Sequence, residues 1–375
     1  MKNISIYIHI PFCSHKCIYC DFYSLITEEN QIPFIDSICK EIEMYANRFP
    51  NVHVETIFFG GGTPSLLSPK LIGKILNKLA QHFIFDQDCE ITLETNPGTV
   101  DIEKLKNFKS IGINRLSIGV QTFDENELKF LTRIHDKQTA ISTVENAHKA
   151  GFDNINLDLI FNLPGQSKQI WNENLSIAVQ LPITHLSTYS LILERGTILN
   201  KMVLDGKVKL QDEDYDADLY EYTIDYLTQK EFIQYEVSNF CKEGFECKHN
   251  LNYWKHKNYL GFGPSAHSFY DNERWWNFSS LKMYIDSIKS KGNAIRSSEK
   301  LNLKQLEDEF VMLALRSSGL DLLEYQERFS KDFIKDNFQY LSSLIKNEYL
   351  IQEKNMLKFT SKGYPICDEI LLNIK

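Results

Sequence analysis

Three of the chain's eight cysteines fall on one short stretch, in the pattern Cys13-x3-Cys17-x2-Cys20. In a large chain such clustering points to metal rather than to a disulfide framework. Structural zinc wants four ligands in a closed tetrahedron, so a zinc loop would need completion by His9, His15 or a more distant residue. An iron–sulfur cluster held by three thiolates instead leaves one iron free for another ligand. Cys39, Cys89 and Cys367 lie in helix or strand patterns and read as small core residues. Cys241 and Cys247 read as loop cysteines; with His249 they make only a weak three-ligand zinc motif.

Further residues suit a bound cofactor. Gly60-Gly61-Gly62-Thr63-Pro64 would let backbone approach a ligand and present its N–H and C=O groups, or would simply make a tight turn. Glu94, in Glu94-Thr95-Asn96-Pro97, suits ribose hydroxyls; the plainer reading is a surface carboxylate. Arg133 has the planar fork that grips a carboxylate.

The elements that position these residues follow from periodicity. Ile4, Ile6, Ile8 and Ile10 alternate with Ser5, Tyr7 and His9, the period of a strand. Further strands are expected at 54–59, 90–95, 115–120, 154–161 and 185–191, and helices at about 69–83 and 101–109. About six alternations of strand and helix predict parallel strands with crossover helices, in a barrel or an open sheet. In either, ligands collect at the C-terminal strand ends, where the cysteines, the glycines, Glu94 and Gln121 fall, with Asp158 inside the fifth strand. A polar helix is expected at about 212–230, then a region rich in aromatics, Cys and His at 235–278. The stretch 290–300 reads as a linker, followed by a small, mostly helical C-terminal domain ending in a hairpin and a helix. The expected division is 1–235, 236–296 and 297–375.

Bulk properties narrow the class. The chain has 375 residues, 43% of them hydrophobic and 24% charged, enough for a sizeable core and too few charges for wholesale disorder. A net charge of -9 gives no global reason to expect nucleic acid. No stretch approaches the length of a membrane span, and the N-terminus does not read as a signal peptide, so a cytoplasmic protein is expected.

With an aromatic, Tyr19, just before the last cysteine, the cysteine loop resembles the signature of the radical S-adenosylmethionine (SAM) superfamily. That resemblance implies a [4Fe-4S] cluster on Cys13, Cys17 and Cys20, with SAM chelating the open iron and being cleaved to a 5'-deoxyadenosyl radical. The segments YIHIPFC (7–13), GGGTPS (60–65), LETNPGT (93–99), RLSIGVQTF (115–123), LTRIH (131–135) and LDLIFNLPGQ (157–166) narrow it further. They resemble the oxygen-independent coproporphyrinogen III oxidase-like branch almost end to end. The branch implies a partial (β/α)6 barrel, with Tyr7, Tyr19, Gly61, Gly62, Thr63, Glu94, Gln121, Arg133 and Asp158 at positions near SAM. True oxidases carry one more cysteine where this chain has Phe22, and a long N-terminal extension before the barrel. The ending Cys20-Asp21-Phe22 and the run His249-Asn250-Leu251-Asn252-Tyr253-Trp254 are instead similar to the HemW group of heme chaperones. That group implies heme on His249, since imidazole ligates heme iron and aromatics stack on a macrocycle. It also implies transfer of heme to an acceptor protein, at the membrane side or elsewhere. The alternatives are the oxidase itself or another radical SAM enzyme such as a methyltransferase or cyclase.

Overall fold

The computed structural model describes residues 2–27 and 29–374. Six strands run in parallel: β1 (Lys2–Ile10), β2 (Val52–Gly61), β3 (Ile84–Thr95), β4 (Arg115–Gln121), β5 (Asn154–Phe161) and β6 (His185–Ser190). Crossover helices join them in order: α1 (Gln31–Arg48), α2 (Pro69–His82), α3 (Ile102–Ser110), the pair α4 (Glu125–Phe130) and α5 (Lys137–Lys149), and α6 (Lys168–Gln180). Ser or Asp caps four of these helix starts; Asp101, Asp124, Asp136 and Ser167 each accept a backbone N–H of the first turn. The alternation read in β1 divides it between two surroundings. Ile4, Ile6, Ile8 and Ile10 join the core with Phe34, Ile35, Ile38 and Ile42 of α1, while Tyr7 and His9 line a cavity. Each buried isoleucine contributes about 1.5–3 kcal/mol.

The sheet continues beyond these six. After α7 (Ile198–Leu204) and the polar helix α8 (Glu213–Thr228) come β7 (Ile233–Gln234) and β8 (Asn239–Cys241), with β8 antiparallel to β6. Helix α9 (Lys248–Trp254) then leads to β9 (Tyr259–Phe262), which runs parallel to β1 on the edge away from β2. Strands β10 (His267–Tyr270), β11 (Glu273–Asn277) and, after α10 (Leu281–Lys291), β12 (Ile295–Lys300) add antiparallel neighbours. The twelve-stranded sheet runs from β12 to β7 without closing, which is a partial barrel. Glu41 of α1 ties this extension to the barrel. Its carboxylate accepts the Gly263 N–H (2.9 Å), the Asn277 amide (2.6 Å) and the Tyr284 hydroxyl (2.6 Å).

Two readings of the sequence are corrected. The stretch 290–300 is not a linker: it is the end of α10 and the edge strand β12, paired with β11. It reads as polar because five of the six β12 residues are exposed, and charges on an edge discourage further pairing. Cys241 belongs to β8 rather than to a loop. The C-terminal residues build a second core around Phe310, Leu315, Tyr325, Leu341 and Phe359. Helices α11 (Leu303–Leu315), α12 (Leu322–Phe329), α13 (Phe333–Asp336), α14 (Phe338–Lys346) and α15 (Cys367–Leu372) surround it, with a small sheet of β13 (Leu320–Asp321), β14 (Leu350–Glu353) and β15 (Met356–Phe359). The hairpin followed by a helix is present as β14, β15 and α15.

Candidate functional site

The C-terminal ends of the parallel strands open into a cavity of about 490 Å³. Cys13, Cys17, Tyr19 and Cys20 line it, as do Gly61, Gly62, Thr63, Glu94, Gln121, Arg133 and Asp158. Every residue selected from the sequence for the cluster or SAM is there except Tyr7.

Close packing explains the glycines. Gly61 has φ +109°, and a Cβ on it would sit 2.5 Å from the His9 ring. On Gly62 a Cβ would lie 2.7 Å from the Phe12 carbonyl oxygen and 3.1 Å from Cys13 Sγ. The turn therefore presses backbone against the cysteine loop, with Gly62 N–H donating to Ile10 and Thr63 N–H to Phe12. Glu94 accepts the Gly61 N–H (3.0 Å). Burial, with Asp158 nearby, pushes its carboxyl up to about 8.

A polar chain links this turn to the cysteines. Thr63 Oγ1 lies 3.5 Å from Cys13 Sγ and accepts the Asn96 amide at 2.9 Å. Asn96 Oδ1 accepts from Arg133 Nη2 at 2.8 Å, and Arg133 Nη1 donates to Cys17 Sγ at 3.6 Å. The buried Arg133 Nε has no hydrogen-bond partner among the described residues. Arg133 lines the cavity beside the cysteines, and its planar guanidinium suits the carboxylate of an amino-acid ligand. Gln121 holds φ +72° at a bulge between β4 and β5, strained backbone of the kind that gathers at ligand sites. Asp158 is half-buried and accepts from Asn156 (2.8 Å) and Ser117 (3.2 Å). Tyr19 packs with Leu131, Ile160 and Leu163. The two histidines that could complete a zinc loop are engaged elsewhere: His9 with the Tyr7 hydroxyl (3.1 Å) and the Tyr23 carbonyl (2.9 Å), His15 with Thr132 (3.1 Å).

A second, more open cavity of about 440 Å³ adjoins the first. Tyr7 lines it, with His9, Tyr23, His249, Tyr253, Tyr259 and His267. Asp21, Phe22, Phe58 and Asn250 line both cavities, so one wall serves two spaces. Glu90 of β3 anchors α9 here by accepting the backbone N–H groups of Lys248 and His249 (both 3.1 Å) and the Cys247 thiol (3.5 Å). His249 is only 2% exposed. Its Nδ1 meets Thr56 Oγ1 at 2.7 Å, its Nε2 meets the Tyr253 hydroxyl at 3.2 Å, and its ring stacks on Phe58. As placed, it offers an iron no free nitrogen.

Burial, with Arg115 nearby, lowers the His249 imidazole to about 3. A neutral buried histidine contributes stability that is complete above the unfolded value near 6.5 and is lost as pH falls from there toward 3. At pH 5 the loss from this residue is about 2 kcal/mol. His249→Phe is therefore expected to start less stable, with the Thr56 and Tyr253 hydroxyls left unpaired, but to lose less between pH 7 and 5. Urea midpoints at the two pH values measure this; an equal loss in both proteins would contradict it.

Comparison with known proteins fits this geometry. Residues 7–175 match the radical SAM superfamily. The chain is 34% identical to the heme chaperone HemW of Lactococcus lactis over 371 residues, covering 98% of this chain and 96% of that one. It is 32% identical to the Bacillus subtilis HemW over 369 residues, covering 98% and 97%. The chain belongs to the HemW family. HemW membership within the radical SAM superfamily implies a [4Fe-4S] cluster and SAM, and the cysteine loop and glycine turn both line the first cavity. The fold is that of coproporphyrinogen III oxidase (HemN) from Escherichia coli, with a TM-score of 0.85 at 24% identity over 99% of this chain and 89% of that one.

The structure also adds residues that sequence patterns missed. Asn96 links Thr63 to Arg133, and its position in LETNPGT at a strand end was the available signal. Arg115, Phe58 and His267 lie in segments noted in the sequence, at 115–123, 54–59 and 235–278, but only the assembled sheet brings them to the cavities.

Proposed function

We propose that this chain is a heme chaperone, binding heme in the second cavity beside a SAM-ligated [4Fe-4S] cluster and passing heme to an acceptor protein. The shared wall of Asp21, Phe22, Phe58 and Asn250 carries this reading, because a macrocycle in the open groove would lie against the cluster loop. In this reading Cys13, Cys17 and Cys20 hold the cluster. Gly61, Gly62 and Thr63 face the SAM amino group, Arg133 its carboxylate and Glu94 its ribose, with Tyr19, Gln121 and Asp158 completing the pocket. Tyr7 lies on the boundary, close to Gly60 yet opening on the groove. Cluster and SAM together supply one-electron chemistry when bound. The chain's own part is to hold them in a walled cavity while the groove stays open for cargo to enter and leave.

The division 1–235, 236–296 and 297–375 is part of the same proposal, with β12 (Ile295–Lys300) running across its second boundary. Residues 1–235 carry the cluster and SAM, 236–296 supply the far wall of the groove, and 297–375 form a C-terminal unit. A cytoplasmic site of action, with the acceptor free or at the membrane face, belongs to the proposal; no described helix is long and apolar enough to cross a membrane.

Handover and turnover separate this reading from its alternative. Heme-loaded protein mixed with apomyoglobin is expected to lose its heme to the trap, and the reconstituted protein is expected to leave coproporphyrinogen III unchanged with SAM and reductant under anaerobic conditions. Stoichiometric oxidative decarboxylation of coproporphyrinogen III would overturn the chaperone in favour of an oxidase.

A further inference from the structure

We infer that His267, on β10, is the axial ligand this chain presents to heme iron. The inference rests on the reading that heme occupies the second cavity and names the side chain that would hold its iron. An axial ligand needs an unshared nitrogen lone pair facing the porphyrin. Three histidines line this groove. His9 has both ring nitrogens engaged, by the Tyr7 hydroxyl and the Tyr23 carbonyl. His249 has both engaged, by Thr56 and Tyr253, and is buried. His267 is exposed, and neither of its ring nitrogens has a hydrogen bond among the described residues.

Its surroundings fix its position. His267 stands directly opposite Trp276 in the β10–β11 pairing, and the two rings stack at 5.7 Å with 21° between planes. Trp275, one residue earlier, turns the other way into the core and donates to the Tyr45 hydroxyl at 2.6 Å, which locks the strand's facing. Gly261 of β9 lets β10 approach, because a Cβ there would sit 2.0 Å from the His267 carbonyl oxygen. The imidazole is thus braced by an indole, on a strand that cannot slip.

The groove's hydroxyls compete poorly. Tyr7 and Tyr253 are tied to the two buried histidines, and the Tyr23 oxygen accepts the Leu281 N–H at 2.8 Å. Burial raises the Tyr7, Tyr253 and Tyr259 hydroxyls, so the anionic form that ligates iron is disfavoured. Phe22, 61% exposed on the shared wall, offers an apolar ring for a porphyrin face.

The test is hemin titration of the full-length, anaerobically reconstituted protein, with absorption and low-temperature electron paramagnetic resonance of the bound heme. Wild type, His267→Ala, His267→Gln and His249→Ala are compared. For both His267 variants the expected result is loss of the histidine-ligated signature and affinity weaker by about tenfold or more. Added imidazole is expected to restore the signature, which a merely structural role would not allow. His249→Ala is expected to keep the signature. Wild-type spectra and affinity in both His267 variants would overturn the inference while leaving the heme reading in place. Absence of saturable heme binding by wild type would overturn the heme reading, and the inference with it.

Discussion

Cys17→Ala is expected to leave the anaerobically reconstituted chain with almost none of the about four irons that a [4Fe-4S] cluster contributes. Among the described residues the three thiols on the loop are the only cysteines lining the cavity, so losing one leaves two ligands for a cluster that needs three. Cys17 also accepts from Arg133 Nη1 at 3.6 Å, so the substitution loosens the guanidinium that borders the SAM space. The fold has little reason to respond. Cys17 is partly exposed on a loop outside any helix or strand, and surface changes of that kind usually stay within about 0.5 kcal/mol. Iron and sulfide assays beside far-ultraviolet circular dichroism make the measurement. Full iron content in a folded variant would contradict the assignment of the cluster.

Arg133→Ala is expected to weaken SAM binding by about 30-fold to several thousand-fold, the range that follows from about 2–5 kcal/mol for truncating one partner of a buried, hydrogen-bonded charge pair. The guanidinium is held by Asn96, by the Gly119 carbonyl and by Cys17, and Arg133 lines the cavity. Arg133→Lys is expected to recover little, since a single ammonium cannot reproduce a planar fork that bonds three groups at once. Asn96→Ala is expected to fall between wild type and Arg133→Ala, because it frees Arg133 from one anchor without removing the charge. Calorimetric titration of cluster-loaded protein with SAM measures all three. Wild-type affinity in Arg133→Ala would remove Arg133 from the SAM site.

The barrel was largely legible in the sequence because its period survives at every level. The β1 isoleucines alternate as a strand should, and four of the six parallel strands, β2 to β5, stop at or just before Gly61, Asn96, Gln121 and Asn162. The cysteine loop and the glycine turn were legible for a different reason. Their residue types are chemical, and their spacing does not depend on distant packing. What resisted reading is assembled across long sequence separations. Strand β9 has only four residues and gains its place by pairing with β1, more than 250 residues earlier in the chain. Strand β12 looked like a linker because an exposed edge is polar. His249 sits in a motif that suggests a ligand, yet its ring nitrogens meet the Thr56 and Tyr253 hydroxyls and its ring stacks on Phe58 of β2. His267 lay in the stretch 235–278 rich in aromatics, Cys and His without being singled out; its exposure and its Trp276 partner exist only once β10 and β11 are paired.

The most direct test is hemin titration of the reconstituted, SAM-loaded chain, read at the Soret band together with iron and SAM content. The expected result is one saturable heme per chain, with cluster and SAM retained, since the two cavities are separate spaces with a common wall. No saturable binding, or heme bound only as cluster or SAM is displaced, would contradict a heme groove beside an occupied radical SAM site.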